Sequence, residues 1–135
     1  MVMEERLCQR VRSRAEGRCE YCRLKQEHES LTPFHIEHIV AGQHGGTNDE
    51  TNLALACAWC NLIKGPNIAS LDPATGSLTR LFHPRQDCWE DHFRRDGPLI
   101  AGRTDIGRTT VQLLRMNDPD TVDQRSLLIE LGELD

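Results

Sequence analysis

Residues 35–65 read HIEHIVAGQHGGTNDETNLALACAWCNLIKG. This stretch holds three histidines, a glutamate between two of them, an Asn-Leu step, a CxxC pair and a closing Asn-x-x-Lys. Phe34 to Val40 predicts a short strand, and the stretch from Gly42 to Asn48, with its Gly45-Gly46 step, predicts a turn-rich connection. Leu53 to Ala56 predicts a returning strand, and Cys57 to Lys64 a helix that Gly65-Pro66 stops. The local plan is strand, loop, strand, helix.

Upstream, Glu4 to Glu16 predicts a helix with Leu7, Val11 and Ala15 on one face and Gly17 as its stop. It leads into a second CxxC, Cys19-Glu20-Tyr21-Cys22. Downstream, a turn at Asp72–Gly76 precedes a predicted strand from Leu78 to Phe82. Trp89 to Arg94 predicts a short helix, with Trp89 and Phe93 four apart for packing. Thr104 is a suitable N-cap for a helix to about Met116, which Asn117-Asp118-Pro119 ends. A last helix is predicted over Val122–Leu131. The chain shows no repeat or low-complexity run. The expectation is an α+β fold in one domain, 1–135, with a compact core over 17–66 and an extension over 67–135 that covers it.

The net charge of −5 argues at first against a polyanionic partner. All of it resides in the last nineteen residues, where six acids face Arg125 alone. Near the N-terminus Arg6, Arg10, Arg12, Arg14, Arg18, Arg23 and Lys25 form a basic cluster able to meet phosphates; the bland reading is a solvated helix face. Aromatic residues make up only 4%, so a metal clip would offset a modest apolar core. The first residues lack an apolar signal region and no segment is long enough to span a membrane. A reducing cytoplasm is therefore expected, where paired CxxC motifs more often bind metal than form disulfides.

Cys19, Cys22, Cys57 and Cys60 form two close pairs separated by 34 residues. Four thiolates delivered in this way suit tetrahedral zinc, and closing the loop with metal would couple binding to folding. The competing reading is four buried free thiols or a redox pair. Cys8 and Cys88 lack close cysteine partners.

In a strand at 34–40, Glu37 and His38 project to opposite sides from adjacent backbone positions. A carboxylate suits Mg2+ or Mn2+, and a neutral imidazole suits a general base near pH 7. Asn61 can add a carbonyl oxygen to the same cation. Lys64, three residues on, faces a similar way and could meet a phosphate oxygen. His35 makes HxxH with His38, as a further metal ligand, a phosphate contact or a structural residue. His44 is either a phosphate contact or part of the turn that its glycines form.

CEYC at Cys19, IEHI at Ile36, HGG at His44, TNLALAC at Thr51 and CNLIKG at Cys60 together resemble the HNH endonuclease family with its ββα-metal site. The resemblance is to a four-cysteine, zinc-containing bacterial branch, in which LFHPR and W-x2-HF segments follow, here Leu81–Arg85 and Trp89–Phe93. It implies His38 as the histidine that activates water, Glu37 and Asn61 as ligands of a catalytic divalent ion, and Asn52 as the brace of the loop. It places the four cysteines on structural zinc. Glu37 departs from the commoner aspartate, and its extra methylene moves the carboxylate by about one carbon–carbon bond. DNA is the implied partner, and phosphodiester hydrolysis the implied reaction. A non-catalytic zinc module that binds nucleic acid or protein is the alternative, with a zinc-stabilised redox protein third.

Overall fold

The computed structural model describes residues 4–134. Mixed helices and small antiparallel sheets make the fold α+β. The chain gathers into two compact units: residues up to Ile68 with His83–Asp87, and Ala69–Phe82 with the residues from Cys88 onward. Among the described residues no helix is long and apolar enough to cross a membrane.

In the first unit α1 spans Glu5–Arg14, slightly shorter than the sequence suggests. Glu5 in its first turn and Arg12 and Arg14 in its last complement the helix dipole. Val11 and Ala15 bury its inner face, and Gly17, at φ 69°, ends it through a bond from its N–H to the Arg12 carbonyl. β1 (His35–His38) pairs antiparallel with β2 (Leu53–Ala56), setting Glu37 opposite Ala54 and His38 opposite Leu53. All four β2 residues are buried. α2 (Ala58–Lys64) follows, with Cys57 as its N-cap accepting a bond from Cys60 N at 3.4 Å. Strand, loop, strand and helix thus follow in the expected order.

β2 forms a two-stranded sheet with β1, so its outer backbone groups need other partners. The Leu53 carbonyl accepts from an Arg14 nitrogen at 2.7 Å. The Leu55 carbonyl accepts from Glu20 N, and Leu55 N donates to Glu20 Oε2, both at 2.8 Å. The other Glu20 oxygen pairs with Arg85. The Arg85 of the LFHPR segment therefore anchors the residue that lies inside the first CxxC.

In the second unit β3 (Ala69–Leu71) and β4 (Leu78–Arg80) form a hairpin across the expected turn. α3 is only Trp89–His92, because the chain extends at Phe93 into β5 (Phe93–Asp96), paired with β6 (Leu99–Gly102). The Trp89–Phe93 spacing suggested helix to Arg94; the rings do pack, with centroids 5.1 Å apart, but from a helix onto a strand. α4 (Asp105–Leu113) is capped by the Thr104 side chain, which accepts from Gly107 N at 3.0 Å. Gly107 is a packing requirement: a Cβ there would lie 1.9 Å from the His92 carbonyl oxygen. Asp72, with no exposed side-chain surface, meets Arg108 through two hydrogen bonds of 3.1 and 2.8 Å. α5 (Pro119–Glu130) begins on Pro119, which suits a first helical position.

Candidate active site and cysteine centre

The sulfurs of Cys19, Cys22, Cys57 and Cys60 all lie within 4.8 Å of one another. Those of Cys22 and Cys57 are 3.8 Å apart, matching the edge of about 3.8 Å of a tetrahedron with Zn–S of about 2.3 Å. Cys19 and Cys60 are fully buried and Cys57 nearly so. Burial opposes a Cys19 thiolate, but hydrogen bonds from the other three thiols hold it well below the usual range. Cys22 is pushed up by the hydrogen bonds it makes to Cys19 and Cys57, and Cys60 by its bond to Cys19. The convergence of the four sulfurs fits tetrahedral zinc.

The loop between β1 and β2 is held by Asn52. Its oxygen accepts from Val40 N at 2.9 Å, while its amide nitrogen donates to the Val40 and Thr47 carbonyls at 2.9 and 2.8 Å. Gly46 fits because it has no side chain: a Cβ would lie 1.7 Å from the Val40 carbonyl oxygen. The next residues bring Asn48 to the end of β1. There its Oδ1 lies 2.7 Å from Nε2 of the half-buried His38.

Glu37 points inward. Its Oε1 lies 2.7 Å from Lys64 Nζ and its Oε2 accepts from Tyr21 at 2.8 Å; Glu37 and Lys64 are 5% and 2% exposed. Burial raises the Glu37 carboxyl above its ordinary range against the opposite pull of Lys64 and Tyr21. Burial, and then the charge of Glu37, raise the Tyr21 phenol well above its own. Lys64 also donates to the Ile39 carbonyl at 2.9 Å. The phosphate contact expected of Lys64 is therefore corrected: its stem crosses the interior and its ammonium ties α2 to β1. Glu37, nominated for a divalent ion, has both oxygens engaged. Among the described residues the four cysteines are the one set of three or more His, Cys, Asp or Glu ligands that converge. Lys64 and Tyr21 thus occupy the Glu37 carboxylate in this arrangement.

His35 and His44 are both exposed, His35 on β1 and His44 in the short 3-10 turn Gly42–His44. Asn61 is half-buried on α2, one turn before Lys64. On α1 the residues Arg6, Gln9, Arg10, Ser13 and Arg14, with Glu50, line an open surface groove of about 550 Å3. Arg10 pairs with Glu50, and Arg14 donates to the Glu50 carbonyl at 3.1 Å. Burial, and then the nearby Arg14, pull Arg85 down to about 10, so it is still a cation at neutral pH.

Sequence reasoning missed Glu20, Tyr21, Asn48 and Arg85. Glu20 and Tyr21 stood in view as the two residues inside a CxxC. Asn48 carried no signal beyond its place after the paired glycines.

The model of the HNH endonuclease family matches residues 19–67. No curated protein and no solved structure matches the chain. The matched segment opens on Cys19, the first cysteine of the cluster, contains β1, β2 and α2, and ends just past the helix that carries Asn61 and Lys64. Residues 19–67 thus resemble an HNH endonuclease domain, and the four clustered cysteines are consistent with its zinc-containing branch.

Proposed function

We propose that this domain hydrolyses DNA phosphodiester bonds with His38 as general base. The observation that carries this reading is the placement of His38: half-buried at the end of β1, its ring tied at one nitrogen to Asn48 of the loop that Asn52 clamps at three points. His38 takes a proton from water, the hydroxide oxygen bonds to phosphorus in line, and the bond to the 3′ oxygen breaks. The leaving oxygen takes a proton from solvent, which gives 5′-phosphate and 3′-hydroxyl ends. The basic face of α1 supplies charge for the backbone of the polyanion. Zinc at the four cysteines is structural; it ties the turn at Cys19–Cys22 to the start of α2. Mg2+ or Mn2+ are the divalent ions expected for such chemistry, and Glu37 would have to release Lys64 to hold one.

That pairing favours a second reading, a non-catalytic zinc module that binds nucleic acid. One plasmid assay separates the two. Supercoiled DNA is incubated with the wild type and His38→Ala in Mg2+, Mn2+ or chelator. Nicking by the wild type, lowered about 10²-fold or more in His38→Ala, is expected. Equal cleavage by both proteins would reject His38, and retarded but uncut DNA would favour the binding module.

A further inference from the structure

We infer that Asn48 is a positioning residue that fixes His38 with its proton on Nε2, leaving Nδ1 to accept the proton from water. The inference rests on the reading of His38 as general base and goes further, to the atom that acts and the residue that selects it.

A neutral imidazole offers one donor and one acceptor, and the hydrogen bond at one nitrogen decides which form is present. Asn48 presents Oδ1 to Nε2 at 2.7 Å. An amide oxygen can only accept, so Nε2 must carry the hydrogen. Nδ1 makes no hydrogen bond to a described residue, and its lone pair is available. Had the amide presented its NH2 instead, Nε2 would be the acceptor and the basic lone pair would be consumed.

Asn48 can impose this choice because its own backbone is fixed on both sides. The preceding Thr47 carbonyl is held by Asn52 Nδ2 at 2.8 Å, and the following Asp49 N–H donates to Thr47 Oγ1 at 3.3 Å. Gly46 lies so close to the Val40 carbonyl that a Cβ would overlap it. Asn52, the brace of the loop, spends its amide on the Val40 and Thr47 backbone and thereby acts on His38 through Thr47 and Asn48.

The test is 15N NMR on the zinc-loaded, histidine-labelled full chain, with the His38 signals assigned by their loss in His38→Gln. The expected result is a pyrrole-type shift at Nε2 and a pyridine-type shift at Nδ1. Asn48→Leu should mix the two forms and slow plasmid nicking about 10- to 100-fold, as loss of a group that orients an active side chain does. Asn48→Asp keeps an acceptor and should restore the Nε2–H form. Zinc content and melting temperature measured alongside show that each variant is folded, and the Asn48→Asp spectrum decides the tautomer question even if Asn48→Leu is unstable. An Nδ1–H tautomer in the wild type, or Asn48→Leu with both tautomer and rate unchanged, would overturn the inference. Failure of the underlying reading looks different: His38→Ala would nick as fast as wild type although the ring of the wild type holds its proton on Nε2.

Discussion

Lys64 reaches from the last turn of α2 to within 2.7 Å of Glu37 on β1, so one buried ion pair joins the helix to the strand that carries His38. The ammonium takes the place against the carboxylate that a metal ion would need. Tyr21, from inside the first CxxC, donates to the other oxygen. Three segments that are distant in sequence therefore meet at one carboxylate.

Breaking this pair from one side should be costly. Lys64→Met leaves a buried carboxylate without its cation, and the expected loss is about 3–5 kcal/mol of unfolding free energy. Glu37→Gln combined with Lys64→Met removes both charges and should recover much of it. Urea unfolding of the three proteins checks this. A single Lys64→Met variant as stable as wild type would show that the pair does not hold α2.

The cysteine centre makes a separate prediction. Cys57→Ser should bind less zinc, measured by elemental analysis, and melt earlier, because the metal contributes to folding directly. Chelation of the wild type should shift its melting temperature the same way. Full zinc occupancy together with wild-type melting in the variant would argue against four-cysteine ligation.

The α1 groove should be read by salt. Arg6→Gln with Arg10→Gln should flatten the slope of log affinity against log salt by about two, one for each phosphate left without its arginine. Filter binding with His38→Ala as background keeps cleavage out of the measurement. An unchanged slope would assign the cluster to a solvated helix face.

Asp72 governs an acid limb in the second unit. Hydrogen bonds from Arg108, and then from the Ala74 backbone, hold its carboxyl at about 2 against an ordinary 3.8. The folded value is depressed, so the stabilisation is fully present above pH 3.8 and is lost as pH falls toward 2. Asp72→Asn should lower stability at neutral pH and remove this part of the acid dependence. Acid titrations of the two proteins that run parallel would refute it.

Much of the core was legible because its signals are local. The cysteine spacing, the paired glycines and the apolar LALA run gave strand, loop, strand and helix in the right order. Lys64 was legible as a position but not as a direction. Spacing from Asn61 suggested a shared outward face, whereas a long side chain at the end of a seven-residue helix can turn inward to a buried carboxylate. The β5–β6 hairpin was missed because Trp89 and Phe93 satisfy helical spacing. The Asp96-Gly97 step, with Gly97 at φ 61°, was the turn signal that should have competed with it. Asn48 lay beyond periodic reasoning: a single loop amide acquires a role only when tertiary structure sets it against a ring.

The bonds from Glu20 to Leu55 have a consequence for the protein as a solution species. An exposed strand with unsatisfied N–H and C=O groups is a template for the same strand of another molecule. Here that strand is the uncharged LALA run of β2, and its cover is a turn whose ends are the cysteines 19 and 22. Loss of a metal bound by these cysteines would loosen the cover along with the fold, and the metal-depleted chain is the form expected to aggregate.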